Sequence, residues 1–265
     1  DVGWVGTLWE PIKMPLMNVT FYAPFATGNL DILNKVGEDL HKNIPAMNEA
    51  WKKHNQVFLG VQAADTYNLF TKFPLKSMAD LKGKKIYGPD ALAGWLRGTG
   101  AVAVNGGLPV YYNGVKTGVA EGGIVITTGM LPFKLHEVAP YITEVDLGGP
   151  ISGALTINKD TWDSMPAYMQ DIFLKLGKEY STIQSGIIKE KAALFLKLMA
   201  KQGATVTKFP AAERRKWAES MPNLAKEWVD ENEAKGIPAK AVMKAFMDGV
   251  RGAGETPLRA WDEGL

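Results

Sequence analysis

The stretch from Ala167 to Lys201 constrains the fold more than any other part of the chain, because it contains no proline and repeats apolar residues at helical intervals. Met169, Ile172, Phe173, Leu176, Tyr180, Ile183, Ile187, Leu194 and Leu198 carry the period. Asp163 or Ser164 can cap the start, and Pro166 fits the first turn. One helix over about 166–201 is about 50 Å long, more than the diameter of a small domain. Gly177 and Gly186 each weaken it by about 1 kcal/mol relative to Ala. A helix of this length braces more than one lobe.

The rest of the chain alternates strand and helix patterns. "MNVTFYAPFATGN" (17–29) reads as a strand and a loop. Residues 30–55 read as two helices broken at Pro45, and the uncharged "VFLGVQAA" (57–64) as a strand covered on both faces. A strand over 84–87 precedes an expected helix over 90–107. A short helix and an apolar strand follow in 111–127, then two strand-like stretches in 143–162. Beyond the long helix, 211–252 reads as helix, turn and helix with a break at Gly236-Ile237-Pro238. The class is α/β, in two βαβ blocks. A chain of 265 residues with 46% hydrophobic content accommodates one large core or two modest ones.

Charge and composition exclude several function classes. A net charge of +2, evenly spread, leaves no nucleic-acid footprint. The absence of cysteine excludes disulfides and thiol chemistry without fixing a compartment. No apolar run reaches the roughly 20 residues of a membrane span, so direct membrane insertion is not expected. The opening "DVGWVG" reads as a strand entered in mid-element, which suggests residues upstream of Asp1.

Catalytic and cofactor motifs are weak. "GTGAVA" (98–103) spells a dinucleotide fingerprint, but its glycines close a helical pattern instead of following a strand. His41, His54 and His136 have no metal-ligand spacing, and "GPISGA" is not a nucleophile elbow. No catalytic residue, metal or cofactor is expected. The aromatic residues Trp4, Trp9, Phe25, Tyr87, Trp95, Tyr111 and Tyr112 fall near expected strand ends, where open α/β sheets bind ligands. They are the candidate ligand-binding residues.

"KFPLKSMADLKGKKI", "GGLPV", "YYNGVKTGVAEGG", "KLHEVAPYIT" and "ALTINKDTWDSMPAYMQDIF", in this order before the long helix, resemble the periplasmic solute-binding proteins of TRAP transporters, the DctP type. The resemblance implies a two-lobed Venus flytrap with a long helix spanning both lobes, located in the periplasm. It would deliver a small organic acid to the subunits of a sodium-coupled TRAP permease. On this reading residues 1–64 begin the first lobe, 65–143 form the second, and 144–265 supply crossing strands, the long helix and C-terminal helices. A ligand-sensing input module for a membrane receptor is the alternative, and a nicotinamide-dependent enzyme a weaker one.

In most of the family an arginine that grips the ligand carboxylate ends the strand after "LKGKK"; here that position matches Tyr87. A phenol offers one donor where a guanidinium offers a fork. Arg97 or Lys134 would then be the cation to replace it, or the ligand is held by aromatic walls, with Phe25 and Trp4 beside Tyr87. The resemblance also implies a cleft loop missing between Val110 and Tyr111.

Overall fold

The computed structural model describes every residue except Glu10, and only the backbone of Trp9. In chain order the elements are β1 (Val2–Gly6), α1 (Leu30–Asn43), α2 (Pro45–Lys52), β2 (Gln56–Ala63), β3 (Tyr67–Thr71), β4 (Lys85–Gly88), α3 (Asp90–Ala93), β5 (Val102–Asn105), α4 (Leu108–Lys116), β6 (Gly122–Ile126), α5 (Thr127–Met130), α6 (Leu135–Val138), β7 (Tyr141–Glu144), β8 (Ile151–Asn158), α7 (Lys159–Asp163), α8 (Ala167–Lys201), β9 (Thr205–Lys208), α9 (Ala211–Ser220), α10 (Leu224–Glu233) and α11 (Ala239–Gly252). Among the described residues no helix is long and apolar enough to cross a membrane. The chain divides into two compact units. Unit 1 holds Asp1–Ala64, Gly149–Ile187 and Ala225–Leu265, and unit 2 holds Asp65–Gly148 and Ile188–Leu224.

Unit 1 is built on an antiparallel sheet ordered β1-β8-β2. Helix α1 starts at Asn29, whose Oδ1 accepts from the amide of Asp31 at 3.0 Å, a side-chain cap of the ordinary kind. Its apolar face (Leu33, Val36, Leu40) is buried, and α11 packs on it. Pro45 separates α1 from α2 because a proline is tolerated only in the first turn of a helix. Beneath them His41 stacks on Phe58 with centroids 3.7 Å apart. Its Nε2 accepts from Trp51 Nε1 at 3.0 Å. Since an indole nitrogen only donates, the proton of His41 sits on Nδ1, which donates to the Gly37 carbonyl at 2.8 Å. Burial lowers the His41 pKa to about 4.

The first part of α8 lies directly against β2. A Cβ at Gly60 would come 2.2 Å from the Gly177 carbonyl oxygen, and one at Gly177 would come 2.2 Å from that of Leu59. Gly177, a weak point on propensity alone, is therefore what allows helix and strand backbones to touch. One turn on, Asn34 Nδ2 donates to Ser181 O at 2.9 Å and Ser185 Oγ at 2.7 Å.

Unit 2 carries a six-stranded sheet ordered β5-β4-β6-β3-β7-β9. Strand β3 is antiparallel to both of its neighbours, whereas β5, β4, β6, β7 and β9 all run the same way. Phe70, Tyr87, Tyr111, Val115, Ile142 and Met199 are central to its core.

Three expectations are corrected. The strand expected from residue 17 is a 3-10 helix over Pro15–Tyr22 with Leu16 to Phe21 buried. The helix expected over 90–107 stops early. Helix α3 and a 3-10 turn end at Leu96, and Val102–Asn105 is a strand whose Val102 and Val104 alternate as a pleat requires. The region 211–252 holds three helices instead of two.

Candidate functional site

The strand order of unit 2 reverses at β4: the chain passes from β4 to β5 on one side and then to β6 on the other. In open α/β sheets ligands bind outside the carboxyl ends of strands at such a reversal. The carboxyl end of β4 is Tyr87-Gly88, and that of β6 leads into Thr127 and Thr128 of α5.

Tyr87 is 5% exposed and Tyr111 1%, and their rings stack with centroids 4.9 Å apart and planes 16° from parallel. Phe70 extends the stack at 6.0 Å from Tyr111. The Tyr87 ring fits because Gly106 and Gly114 lack side chains: a Cβ at Gly106 would be 3.1 Å from Cε1, and one at Gly114 would be 2.1 Å from Oη. Tyr87 thus lies under α4 within the core of unit 2, not as an open wall. Among the described residues neither hydroxyl has a hydrogen-bond partner, yet neither is sealed from solvent. Burial, and then the neighbouring Tyr87, raise the Tyr111 pKa well above that of an ordinary phenol. It is a neutral donor at every physiological pH.

Beside this pair the strand edge is polar. Asp65 accepts from the Thr128 amide at 3.0 Å and from Thr128 Oγ1 at 2.6 Å, and burial raises its pKa. Asn68 donates to Thr127 Oγ1 at 3.0 Å and accepts from the Asp146 amide at 2.8 Å. Arg214 Nη2 donates to both Asp146 O and Oδ2 at 2.8 Å. A cavity of about 340 Å³ opens here, with Asn68, Glu144, Asp146, Lys208, Phe209 and Arg214 in its lining. Strand β7 lies three strand spacings from β4, about 14 Å. Its charges therefore do not reach the tyrosine pair directly. The sequence reading passed over Asp65, Asn68, Thr127 and Thr128. The signal available was a lone Asp closing an uncharged strand in "AADTYN".

The other expected site residues are dispersed. Trp95 is a core residue, 1% exposed, edge-on to Tyr67, with its carbonyl accepting from Trp217 Nε1 at 2.7 Å. Tyr112 is half-buried and donates to Glu137 at 3.2 Å. Arg97 is exposed, and the loop after it pairs Gly100 with Gly83 at the amino end of β4, the opposite edge from the end of Tyr87. Lys134 is exposed in a left-handed turn with φ 54°. Phe25 and Trp4 belong to unit 1. Phe25 is buried with φ 59°, whereas Trp4 is 52% exposed on β1. The side chain of Trp9 lies outside the described residues. "GTGAVA" is a turn with Gly98 and Gly100 at positive φ, followed by a strand instead of a nucleotide-binding helix. Helix α4 passes without interruption through Val110 and Tyr111. Among the described residues no cluster of His, Cys, Asp and Glu has the makings of a metal site.

A family model for bacterial extracellular solute-binding proteins, family 7 (DctP), matches residues 1–232. The C4-dicarboxylate-binding periplasmic protein DctP of Rhodobacter capsulatus is 28% identical over 169 residues, 63% of this chain and 50% of that protein. The chain spans about half the length of the curated relatives it matches. Among solved structures, a TRAP solute-binding protein of Rhodoferax ferrireducens in complex with copurified benzoate superposes with a TM-score of 0.82. It has 20% identity and covers 96% of this chain and 80% of its own. A TRAP periplasmic solute-binding protein of Bordetella bronchiseptica with bound mandelate has a TM-score of 0.75 at 23% identity, covering 96% and 81%.

Proposed function

The chain belongs to family 7 of the bacterial extracellular solute-binding proteins, and from that premise we propose that it binds a small organic acid outside the cytoplasm and hands it to a TRAP-type, sodium-coupled permease. The relatives named above are solute-binding proteins and none is an enzyme. Within this function the favoured ligand is an acid that carries an aromatic ring. The observation that carries the choice is the stacked pair of Tyr87 and Tyr111 at the reversal of strand order, with two hydroxyls that no described residue engages.

Such a pair offers single neutral donors and no cation. It suits a ring bearing one acid group better than a dicarboxylate, which needs paired cations at both ends. Benzoate and mandelate occupy two of the structural neighbours. Phe25, Trp4 and Tyr112 remain secondary candidates as ligand contacts.

Titration calorimetry with benzoate, mandelate and a four-carbon dicarboxylate tests the reading. The ring-bearing acids should bind, and saturating amounts should raise the melting temperature by mass action. Tyr87→Phe should weaken them by about 1–2 kcal/mol, the cost of an acceptor left without its donor. Binding of the dicarboxylate alone would refute the aromatic preference.

A further inference from the structure

Asn-Gly occurs twice in the chain, at Asn105-Gly106 and at Asn113-Gly114, and the fold treats the two differently. The side-chain amide of asparagine is open to attack by the backbone nitrogen that follows it, most of all before glycine, which has no Cβ to hinder the approach. Asn113 and Gly114 lie inside α4, where the helix ladder engages the Gly114 amide and fixes the peptide plane. Asn105 is the last residue of the edge strand β5, and Gly106 and Gly107 connect it to α4. Its side chain is exposed and, among the described residues, has no hydrogen-bond partner. No backbone hydrogen bond engages the Gly106 amide there either.

We propose that Asn105 is a self-modification site of the folded protein. The Gly106 nitrogen loses its proton to water and bonds to Cγ of Asn105, the bond from Cγ to the side-chain nitrogen breaks, and ammonia leaves a cyclic imide. Water then opens the ring. Attack at the side-chain carbonyl gives aspartate, and attack at the main-chain carbonyl gives isoaspartate, whose backbone runs through Cβ and Cγ. Nothing is oxidised or reduced, and an amide has become a carboxylate. Gly106 has little room to yield, since a Cβ there would stand 3.1 Å from Tyr87 Cε1 and 3.1 Å from Val110 Cγ2. Isoaspartate lengthens the main chain by one carbon just before that contact, so Gly106 or the Tyr87 ring must shift within a close-packed core. Both products also place a negative charge beside Gly88, the register partner of Asn105 at the carboxyl end of β4. On the reading that acids bind at this end, the modification weakens their binding.

The full chain is aged in its native state in mildly alkaline buffer and digested with trypsin. Cleavage after Arg97 and Lys116 leaves both asparagines on one peptide, so fragmentation mass spectrometry compares them directly. Asn105 should gain the mass of the amide-to-carboxylate exchange at least about tenfold faster than Asn113, which native structure protects, and the two should react alike in urea. Asn105→Gln, whose longer side chain cyclises far more slowly, should stay unmodified. The melting temperature should fall as the parent ages but not as Asn105→Gln ages. Ring-bearing acids that bind the fresh parent should bind the aged protein at least about threefold more weakly. A native Asn105 that keeps its amide, equal conversion at Asn105 and Asn113 in the native state, or the same fall in melting temperature in Asn105→Gln would overturn the proposal. A fresh parent that binds none of the acids yet ages at Asn105 refutes the ligand reading and leaves the modification standing.

Discussion

Adding one methyl group at Gly114 decides whether the Tyr87 ring truly lies under α4. A Cβ there would stand 2.1 Å from Tyr87 Oη and 2.7 Å from Cε2 and Cζ. Carbon contacts are comfortable near about 3.5 Å, so ring or helix must move by more than about 1 Å. Overpacking costs about 1–3 kcal/mol, and a displacement of this size belongs to the upper part of that range, about 2–3 kcal/mol. Against it stands a gain of about 1 kcal/mol from replacing a glycine inside a helix by alanine. The net expectation for Gly114→Ala is a loss of about 1–2 kcal/mol, read as a lower urea midpoint with the slope unchanged. In a Tyr87→Ala background the overlap disappears and only the helix gain survives, so the same substitution should stabilise by about 1 kcal/mol. The change of sign is the measurement, and the cycle isolates a coupling of about 2–3 kcal/mol. If Gly114→Ala stabilises both backgrounds equally, the ring is elsewhere and the buried pair at the candidate site is wrong.

Acid should destabilise the protein through His41. Its folded pKa of about 4 lies below the 6.5 of an ordinary imidazole. Unfolded chains therefore take up this proton first, and stability is fully present above pH 6.5 and lost as pH falls toward 4, by up to about 3 kcal/mol. His41→Gln should flatten that slope, and urea midpoints showing the same slope in both proteins would refute the assignment. Gly177→Ala should lower the melting temperature despite alanine's helix propensity, because its Cβ meets the Leu59 carbonyl at 2.2 Å. A higher melting temperature would show that helix and strand do not touch.

How much the sequence revealed depended on whether the signal was local. The long helix, the Pro45 break and the β2 and β4 strands were legible because proline placement and apolar spacing act within a few residues. "MPLMNVTFY" misled, since a short buried apolar run has no period that separates strand from helix, and Pro15 at the helix start decided it. Small residues over 90–107 read as one helix, whereas pairing of Val102–Asn105 with β4 made part of it a strand. At the site, the family pattern located Tyr87 at the end of its strand. What could not be read was its burial, because Gly106 and Gly114 look like loop and helix glycines until the ring they accommodate is in place. Asp65 was missed for the same reason, since its partner Thr128 is 63 residues away.

The order of segments also governs when each unit can finish folding as the chain emerges. Unit 2 has all its residues once Leu224 is made. Unit 1, whose first segment precedes unit 2, is completed only after it. Its central strand β8 follows β2 by a whole intervening unit, and its closing contacts come from the far end of the chain, where the Leu258 amide donates to Phe25 O at 3.2 Å and Trp261 Nε1 to Pro24 O at 2.6 Å. Such distant pairings form slowly because a long loop must close before they repay its entropy. The segment before β2 therefore waits with Leu33, Val36 and Phe21 uncovered until helix α11 arrives, and that interval is when it is most open to chaperones and to aggregation.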